Sequence, residues 1–278
     1  MTLLLEAVTF RYPGSALPAL ADLTLTVDRG EVLGLVGANE AGKSTLCLVA
    51  AGLAPASIGG RLTGSVVIDG DETLALKPHE AAQRCGILFQ NPATQLSGAT
   101  ATVWEEIAFG PRNLGLAVDE VVERVAGAMA TLRIDSLAER DPNRLSGGQA
   151  QLVALASVMA LRPSTLVLDE PTSQLDPSGT RLVGDALSRF AAETGTAVLI
   201  VEHKTGLVAR IADEVAVLVA GRIVQRGPSS DVLGDPVLED HGVDPPPAVR
   251  VGRAVAAAGR AADLVGLDLA ALESEPTG

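Results

Sequence analysis

A glycine-rich stretch at residues 37–45 constrains the fold of this chain more than any other part of its sequence. It reads Gly37-Ala38-Asn39-Glu40-Ala41-Gly42-Lys43-Ser44-Thr45 and fits the pattern G-x-x-x-x-G-K-[ST], the phosphate-binding loop of nucleotide hydrolases. The two glycines allow a tight turn whose backbone N–H groups face an anion. Lys43 supplies positive charge to the outer phosphates, and Ser44 offers a hydroxyl group to magnesium.

The residues on either side of this loop predict a strand and a helix. The apolar run 32–36 is typical of a buried strand. Residues 44–51 predict a helix whose N-terminal dipole points at the phosphates. A glycine-rich turn beside an unrelated lysine is the simpler alternative, but the chain has only three lysines and a chance match to the whole pattern is rare. The stretch therefore predicts nucleotide binding.

Charge and cysteine usage exclude several classes of protein. The net charge of −13 over 278 residues argues against a protein that coats nucleic acid, since contacts to many phosphates require clustered Lys and Arg. Cys47 and Cys85 lie in apolar surroundings without metal-ligand spacing, as expected of core thiols in a reducing compartment. The N-terminus lacks the features of a signal peptide. No run of about 18 apolar residues predicts a membrane span.

Acidic residues and a histidine follow two further apolar runs. The run 165–168 ends at Asp169 and Glu170, and the run 197–201 ends beside His203. In a chain with a phosphate loop, Asp169 can hold magnesium, and Glu170 can orient or deprotonate the attacking water. His203 stands at the carboxyl end of a predicted strand, where open α/β sheets place their ligands. These residues predict the second half of a hydrolytic site.

Residues 91–157 differ in character from the rest of the chain. Loop-forming residues give way to helical periodicities, which predicts an inserted helical subdomain. Residues 144–149 (Arg-Leu-Ser-Gly-Gly-Gln) then lead into an apolar helix predicted at 150–161. Ser146 can cap this helix, and the two glycines after it leave backbone N–H groups bare, as in an anion site. A plain loop before a helix is the alternative that these residues alone leave open.

Five motifs in fixed order resemble those of the ATP-binding-cassette (ABC) ATPase family across residues 1–230. They are the loop 37–45, Gln90, Leu-Ser-Gly-Gly-Gln at 145–149, Asp169-Glu170 and His203. The resemblance implies the α/β fold of that family, a P-loop NTPase RecA-like core with an antiparallel β subdomain and an inserted α-helical subdomain. It also implies ATP and Mg²⁺ as cofactors and ATP hydrolysis as the activity.

The same resemblance implies roles for individual residues. Tyr12 lies in a turn, where composition favours a surface aromatic, but the resemblance implies that it stacks on adenine. Gln90, Glu170 and His203 form the implied catalytic set, in which Gln90 also senses the membrane partner. The residues implied to contact nucleotide are Tyr12, Gly37, Ala38, Asn39, Glu40, Ala41, Gly42, Lys43, Ser44, Thr45, Ser146, Gly147, Gly148, Gln149 and Asp176. Those implied to hold magnesium are Ser44, Gln90 and Asp169.

A narrower resemblance connects the chain with the ATPases of energy-coupling-factor (ECF) importers, which take up vitamins or transition-metal ions. It rests on Phe-Gln-Asn-Pro at 89–92 with Gln-Leu at 95–96, and on Ala-Phe-Gly-Pro at 108–111 with Asn-Leu-Gly-Leu at 113–116. The resemblance implies a transmembrane coupling subunit and a substrate-binding membrane subunit as partners. It places the chain at the cytoplasmic face of the cell membrane, and the acidic net charge predicts no nucleic-acid partner.

The family resemblance also implies a head-to-tail dimer around two ATP molecules, formed with an identical chain or a paralogue. Each site then combines the catalytic residues of one chain with Ser146, Gly147 and Gly148 of the other. Two other interpretations stay open. The chain could serve an ordinary receptor-dependent ABC importer, or it could be a cytosolic ABC protein that acts on ribosomes or DNA. A single cassette, the absence of heptads and the acidic composition disfavour the second.

Three residues depart from the family pattern. Glu40 stands where relatives more often have Gly or another small residue, which places a carboxylate near a triphosphate. Leu152 replaces a basic residue that follows the signature in many relatives. Gln174 replaces a small residue of the loop before Asp176, which affects communication between the two sites.

The sequence also predicts domain limits and a docking segment. We predict an ATPase domain at 1–230 (core 1–90 and 158–230, helical subdomain 91–157) and a C-terminal extension at 231–278, with a helix at 248–272. In the segment 91–116, we expect Trp104 and Phe109 to pack inward. Glu105 and Glu106 are expected to face outward and to pair with Arg or Lys on a short helix of a membrane subunit.

Overall fold

The fold is organised around a predominantly parallel sheet. The computed structural model describes residues 2–257. Its strands are β1 (Leu3–Arg11), β2 (Leu20–Val27), β3 (Val32–Val36), β4 (Arg61–Ile68), β5 (Asp71–Glu72), β6 (Cys85–Leu88), β7 (Thr165–Asp169), β8 (Ala197–Val201), β9 (Glu214–Val219) and β10 (Arg222–Pro228). Its helices are α1 (Lys43–Ala50), α2 (Pro78–Arg84), α3 (Val103–Asn113), α4 (Val118–Thr131), α5 (Gly147–Met159), α6 (Pro177–Thr194), α7 (Thr205–Ile211), α8 (Ser229–Gly234) and α9 (Pro247–Ala257).

The main sheet brings three functional segments to one edge. Strands β9, β3, β8, β7 and β6 run parallel in that order, and β10 pairs antiparallel with β9. Every residue of β3, β7 and β8 is buried, which explains their near-continuous apolar sequences. Parallel strands end at the same edge of a sheet. The phosphate loop after β3, Glu170 after β7 and His203 after β8 therefore lie together.

A second, antiparallel sheet in the order β2-β1-β4-β5 covers helix α1. Alternate residues of β1 and β2 point inward, so Leu3, Leu5, Leu23 and Leu25 share one apolar core with Leu46 of α1. The predicted α/β class, with an antiparallel sheet beside a phosphate-loop core, is confirmed.

Helices α3, α4 and α5 form the predicted helical insert, whose apolar faces join the core on the other side of the main sheet. The inward packing predicted for Phe109 is wrong, because its side chain is 43% exposed. Trp104 is half-buried against the same core. The buried stripe of α3 runs through Val103 and Ile107, and 3.6 residues per turn place Phe109 off that stripe. Within residues 2–257, no helix combines the length and apolar character that crossing a bilayer requires.

The outward orientation predicted for Glu106 is also wrong, since this residue is only 4% exposed. Its carboxylate accepts hydrogen bonds from the backbone N–H of Ser97 at 2.5 Å, from the Ser97 hydroxyl at 2.7 Å and from the Thr100 hydroxyl at 2.6 Å. Glu105 is half-buried and accepts a bond from the backbone N–H of Ala101 at 3.0 Å. Both acids thus hold the connection that precedes α3.

Residues 235–246, which we call the C-terminal segment, pack onto the core after α8. Leu238 is fully buried and Val243 is 7% exposed. The Thr205 hydroxyl donates a hydrogen bond to the backbone carbonyl of Asp244 at 2.9 Å. Gly242 lies against the phosphate loop, where a Cβ at this position would come within 3.1 Å of the Ala38 side chain. Of the helix predicted at 248–272, residues 248–257 are helical and the remainder lies outside the described residues.

Candidate functional site

The lysine of the phosphate loop binds backbone carbonyls of the same loop. Lys43 is 6% exposed, and its Nζ donates hydrogen bonds to the backbone carbonyls of Gly37 and Ala38, both at 2.8 Å. A Cβ on Gly37 would come within 2.4 Å of the Leu218 carbonyl oxygen, and Gly42 has φ of +106°. Both positions therefore require glycine.

Lys43 is subject to two opposing influences on its charge. Burial lowers the pKa of its ammonium, while the nearby carboxylates of Glu170 and Asp169 act in the opposite direction. A buried cation at the bare N-terminus of a helix is an arrangement that favours the binding of a phosphate chain.

Asp169, the last residue of β7, has an oxygen available for a metal ion. The residue is 7% exposed, and among the described residues its Oδ1 has no hydrogen-bond partner. Burial raises the pKa of its carboxyl, and a hydrogen bond from Ser44 lowers it. An orphaned carboxylate oxygen beside a serine hydroxyl is a donor pair that suits Mg²⁺. Asp169 and Ser44 therefore fit the magnesium site predicted from the sequence.

Glu170 lies between the other two members of the predicted catalytic set. Gln90 Nε2 donates a hydrogen bond to Glu170 Oε2 at 2.8 Å, and His203 Nε2 lies 3.2 Å from Glu170 Oε1. The backbone of Glu170 has φ of +51°, in the left-handed region that a glutamate rarely adopts. The structure thus brings Gln90, Glu170 and His203 together, although they come from three separate parts of the chain.

A cavity of about 660 Å³ opens beside the phosphate loop. The sequence-predicted residues that line it are Asn39, Glu40, Gly42, Lys43, Ser44, Thr45, Gln90, Glu170 and His203.

Part of the cavity wall was missed by the sequence analysis. This part comprises two segments, residues 17–19 with Ala21 and residues 220–222. A Cβ on Gly221 would come within 2.5 Å of the Ala19 carbonyl oxygen, so the two segments are in direct contact. A glycine at a hairpin turn was the only signal in the sequence, and it does not say which distant segment comes close.

Tyr12 and Asp176 are not among the residues that line this cavity. The Tyr12 hydroxyl lies 3.1 Å from the hydroxyl of Thr45, and its ring packs edge-on against Phe10 with centroids 5.0 Å apart. Asp176 caps helix α6 by accepting a hydrogen bond from the backbone N–H of Gly179 at 2.6 Å.

The signature residues 146–149 also lie away from the cavity. Helix α5 begins at Gly147, earlier than predicted, and Ser146 is its N-cap. The Ser146 hydroxyl accepts from the backbone N–H of Gln149 at 3.4 Å, and the Gln149 side chain accepts from the backbone N–H of Ser146 at 3.1 Å. The signature end of α5 is thus exposed and does not line the cavity beside the phosphate loop of its own chain.

The three departures from the family pattern have distinct structural settings. Glu40 is exposed with φ of +63°, a conformation that a glycine adopts without strain. Leu152 packs partly buried against the core, while neighbouring Gln151 is fully buried and neither atom of its amide group has a partner within residues 2–257. The Gln174 side chain lies against Gly147, 3.0 Å from where a Cβ would stand.

Comparison with known proteins decides the family. The model of the ABC transporter family matches residues 20–173. The chain belongs to this family. It is therefore an ABC ATPase, since the ATP-binding proteins of ABC transporters hydrolyse ATP. A putative ABC transporter ATP-binding protein of Pyrococcus horikoshii is 40% identical over 248 residues, which cover 89% of this chain and 87% of the relative.

Two further similarities concern ECF proteins and a related complex. The energy-coupling factor transporter ATP-binding protein EcfA2 of Symbiobacterium thermophilum is 38% identical over 282 residues, covering 92% of this ABC ATPase and 95% of the relative. The solved structure of cbiO1 from Clostridium perfringens, described as part of the ABC transporter complex cbiONQ, has a TM-score of 0.75 at 28% identity. That match covers 94% of this chain and 98% of the other.

The buried Asp169 carboxyl makes a pH-dependent prediction. Its folded-state pKa is raised, so its contribution to stability is complete below the ordinary value of 3.8 and is lost as the pH rises through the folded pKa. We expect Asp169→Asn to raise the thermal midpoint of the nucleotide-free protein at neutral pH. The difference between the midpoints of the variant and wild type should narrow on acidification.

Thermal unfolding of the nucleotide-free proteins from neutral to acidic pH checks this prediction, and unfolding with ATP in the presence and absence of Mg²⁺ tests the assignment of Asp169 to magnesium. Wild type should gain more stability from adding Mg²⁺ to ATP than Asp169→Asn does. Equal gains for the two proteins would contradict the assignment of Asp169 to magnesium. Asp22 is an exposed acid on β2, and Asp22→Asn is the control. It should leave the thermal midpoints with and without Mg²⁺ as in wild type.

Proposed function

We propose that this ABC ATPase powers an importer of the energy-coupling-factor type as a peripheral subunit at the cytoplasmic face of the membrane. The catalytic part of the proposal depends on one observation. The Glu170 carboxylate is held between the Gln90 amide and the His203 imidazole, beside the phosphate loop. The importer type is supported by the similarity to EcfA2 and to cbiO1.

In the proposed mechanism, the protein positions ATP and water and contributes little covalent chemistry. Magnesium, held through Ser44, Gln90 and Asp169, would offset the negative charge of the outer phosphates. Lys43 leaves the loop carbonyls and binds the same phosphates. Glu170 orients the attacking water and accepts its proton, and His203 fixes the Glu170 carboxylate in place.

We propose that Ser146, Gly147 and Gly148 contact the ATP bound by a second chain. They lie at the N-terminus of α5 and do not line the cavity of their own chain. The first-turn N–H groups of a helix favour an anion, so this end can bind a γ-phosphate presented by a partner. ATP then holds two chains together head to tail, and hydrolysis releases them.

The proposed membrane contact is the segment 91–116, which directly follows Gln90. Within this segment, the aromatic side chain of Phe109 is exposed, and the carboxylate residue Glu105 is only partly buried. A short helix with an apolar face and a Lys or Arg would fit both. A shift of Gln90 with nucleotide state would then reach the membrane subunits through this segment.

Co-purification from membranes tests the importer type. We expect the tagged chain to bring down a transmembrane coupling subunit and a small integral substrate-binding protein. An extracytoplasmic receptor or lipoprotein would favour an ordinary ABC importer, and ribosomes or DNA would favour a cytosolic ABC protein.

A substitution tests the proposed membrane contact. Phe109→Glu should lose the membrane subunits and keep basal ATPase activity. Leu74→Glu, also at an exposed apolar position (52% exposed), is the matched control and should keep both.

The role of Tyr12 is tested with two substitutions. Tyr12→Ala should weaken ATP binding by about 1–3 kcal/mol if the ring stacks on the base. Tyr12→Phe keeps the ring and removes only the bond to Thr45, so its affinity should stay near that of wild type. Calorimetry measures both. Equal losses of affinity for the two variants would assign the effect to the Thr45 contact. Unchanged affinity for Tyr12→Ala would show that Tyr12 does not contact the base.

A further inference from the structure

Glu202 is a buried carboxylate beside His203 whose role the mechanism above leaves unassigned. It is 3% exposed and directly follows β8. Its Oε1 accepts hydrogen bonds from the backbone N–H of Thr172, at 3.0 Å, and from the Thr172 hydroxyl. Its Oε2 accepts a third from the backbone N–H of Lys204 at 3.4 Å. A buried carboxylate that accepts this many hydrogen bonds is held in one position.

Lys204, which follows His203, binds backbone carbonyls in the loop that contains Thr172. Its Nζ donates to the backbone carbonyl of Thr172 at 2.7 Å, to that of Leu175 at 3.2 Å and to the Thr180 hydroxyl at 3.1 Å. The N–H and the C=O of Thr172 are thus both bound by the neighbours of His203. Thr172 itself is fully buried.

The chain held in this way lies two positions after Glu170, whose backbone is strained. A glutamate with φ of +51° is in a strained backbone conformation, and such conformations persist only where the surrounding contacts impose them. On one side, the backbone N–H of Glu170 donates to the carbonyl of Val201 at 2.9 Å. On the other side, the chain is held by Thr172, and Thr172 is held by Glu202.

We propose that Glu202 is a positioning residue for ATP hydrolysis. Through Thr172 it keeps the backbone of Glu170 in its strained conformation, so that the Glu170 carboxylate stays between Gln90 and His203. This proposal rests on the proposed role of Glu170 as the residue that activates water. Removing the Glu202 carboxylate leaves the backbone N–H and the hydroxyl of Thr172 without their acceptor, although Lys204 still binds the Thr172 carbonyl. Glu170 can then relax, which moves its carboxylate away from the attacking water.

Glu202→Gln and Glu202→Ala test the proposal in the full chain. We expect the single-turnover rate of ATP hydrolysis to fall by about tenfold to a hundredfold, with the larger loss for alanine. ATP affinity measured by calorimetry should stay near that of wild type, because Glu202 does not line the cavity. A wild-type rate for Glu202→Ala would overturn the proposal, as would a loss of ATP affinity that matches the loss of rate.

A matched control separates positioning from stability. Glu106 is a second buried carboxylate that accepts from a backbone N–H and from hydroxyl groups, but it lies in the helical insert. Glu106→Gln should lower the thermal midpoint about as much as Glu202→Gln and leave the hydrolysis rate unchanged. Parallel losses of rate in both variants would show that Glu202 acts on stability alone, which contradicts the proposal.

Thr172 gives a second route if the Glu202 variants do not fold. Thr172→Ser keeps the hydroxyl donor and should hydrolyse ATP at a rate near wild type, whereas Thr172→Val removes that donor and should be slow. Equal rates for the two variants would count against the proposal.

The Glu170→Gln background distinguishes failure of this proposal from failure of the proposed function. If Glu202 acts through Glu170, adding Glu202→Gln to Glu170→Gln should slow the residual hydrolysis no further. Slowing by the same factor in both backgrounds would overturn the positioning role and leave the role of Glu170 intact. A wild-type rate for Glu170→Gln alone would instead remove the proposed role of Glu170, on which this inference rests.

Discussion

Glu170→Gln is expected to bind ATP about as tightly as wild type and to hydrolyse it about 10²–10⁴-fold more slowly. The amide keeps the size of the carboxylate and its position between Gln90 and His203, but it cannot accept a proton from water. Asp169 and Lys43 are unchanged, so the binding of magnesium and phosphate is kept. Single-turnover hydrolysis and calorimetry measure the two properties separately.

The same variant should accumulate an ATP-dependent dimer if the chain self-associates, because the step that separates the two chains is blocked. Sedimentation with ATP, compared with ADP, detects this species. Glu72→Gln changes an exposed acid on β5 and should leave turnover and assembly as in wild type. Turnover close to wild type in Glu170→Gln would remove Glu170 from catalysis.

Lys43→Ala is expected to lose nucleotide binding itself. Truncating one partner of a buried charge pair costs about 2–5 kcal/mol, which corresponds to a loss of ATP affinity of roughly thirtyfold or more. In addition, the carbonyls of Gly37 and Ala38 lose the donor that holds them in the nucleotide-free loop. Calorimetric titration with ATP measures the effect directly.

Lys77→Ala is the matched control for this substitution, since Lys77 is an exposed lysine at the start of α2. It should bind ATP as wild type does. An ATP affinity for Lys43→Ala within error of the control would contradict the assignment of the phosphate site. A loss in both variants would point to general charge effects instead of a contact with the phosphates.

The parts of the fold that the sequence predicts well are those with a local signal. The apolar run before the phosphate loop is β3, and the run 197–201 is β8. Both strands are buried on two faces, so nearly every position must be apolar and the run stands out. The loop 37–45, Asp169 and Glu170 follow from motifs whose spacing is fixed by the chemistry that they serve.

The parts that sequence reasoning missed depend on contacts between distant residues. The inward packing expected for Phe109 failed because it was chosen by residue type and not by helix phase. Glu106 was expected to face outward and to pair with a membrane subunit, but donors from Ser97 and Thr100 offset the cost of its burial. Likewise, no pattern in the sequence connects Glu202 with Thr172, which lies thirty positions away.

The contact between Gly242 and Ala38 changes how natural or engineered variants of this chain are interpreted. Residues after the last strand of a domain are ordinarily treated as tolerant of change. At position 242, however, φ is +71° and a side chain would come within 3.1 Å of Ala38. A variant with alanine or valine there would press on the phosphate loop from outside the cavity. Such a variant should be grouped with variants in residues 37–45, although about two hundred positions separate them along the chain.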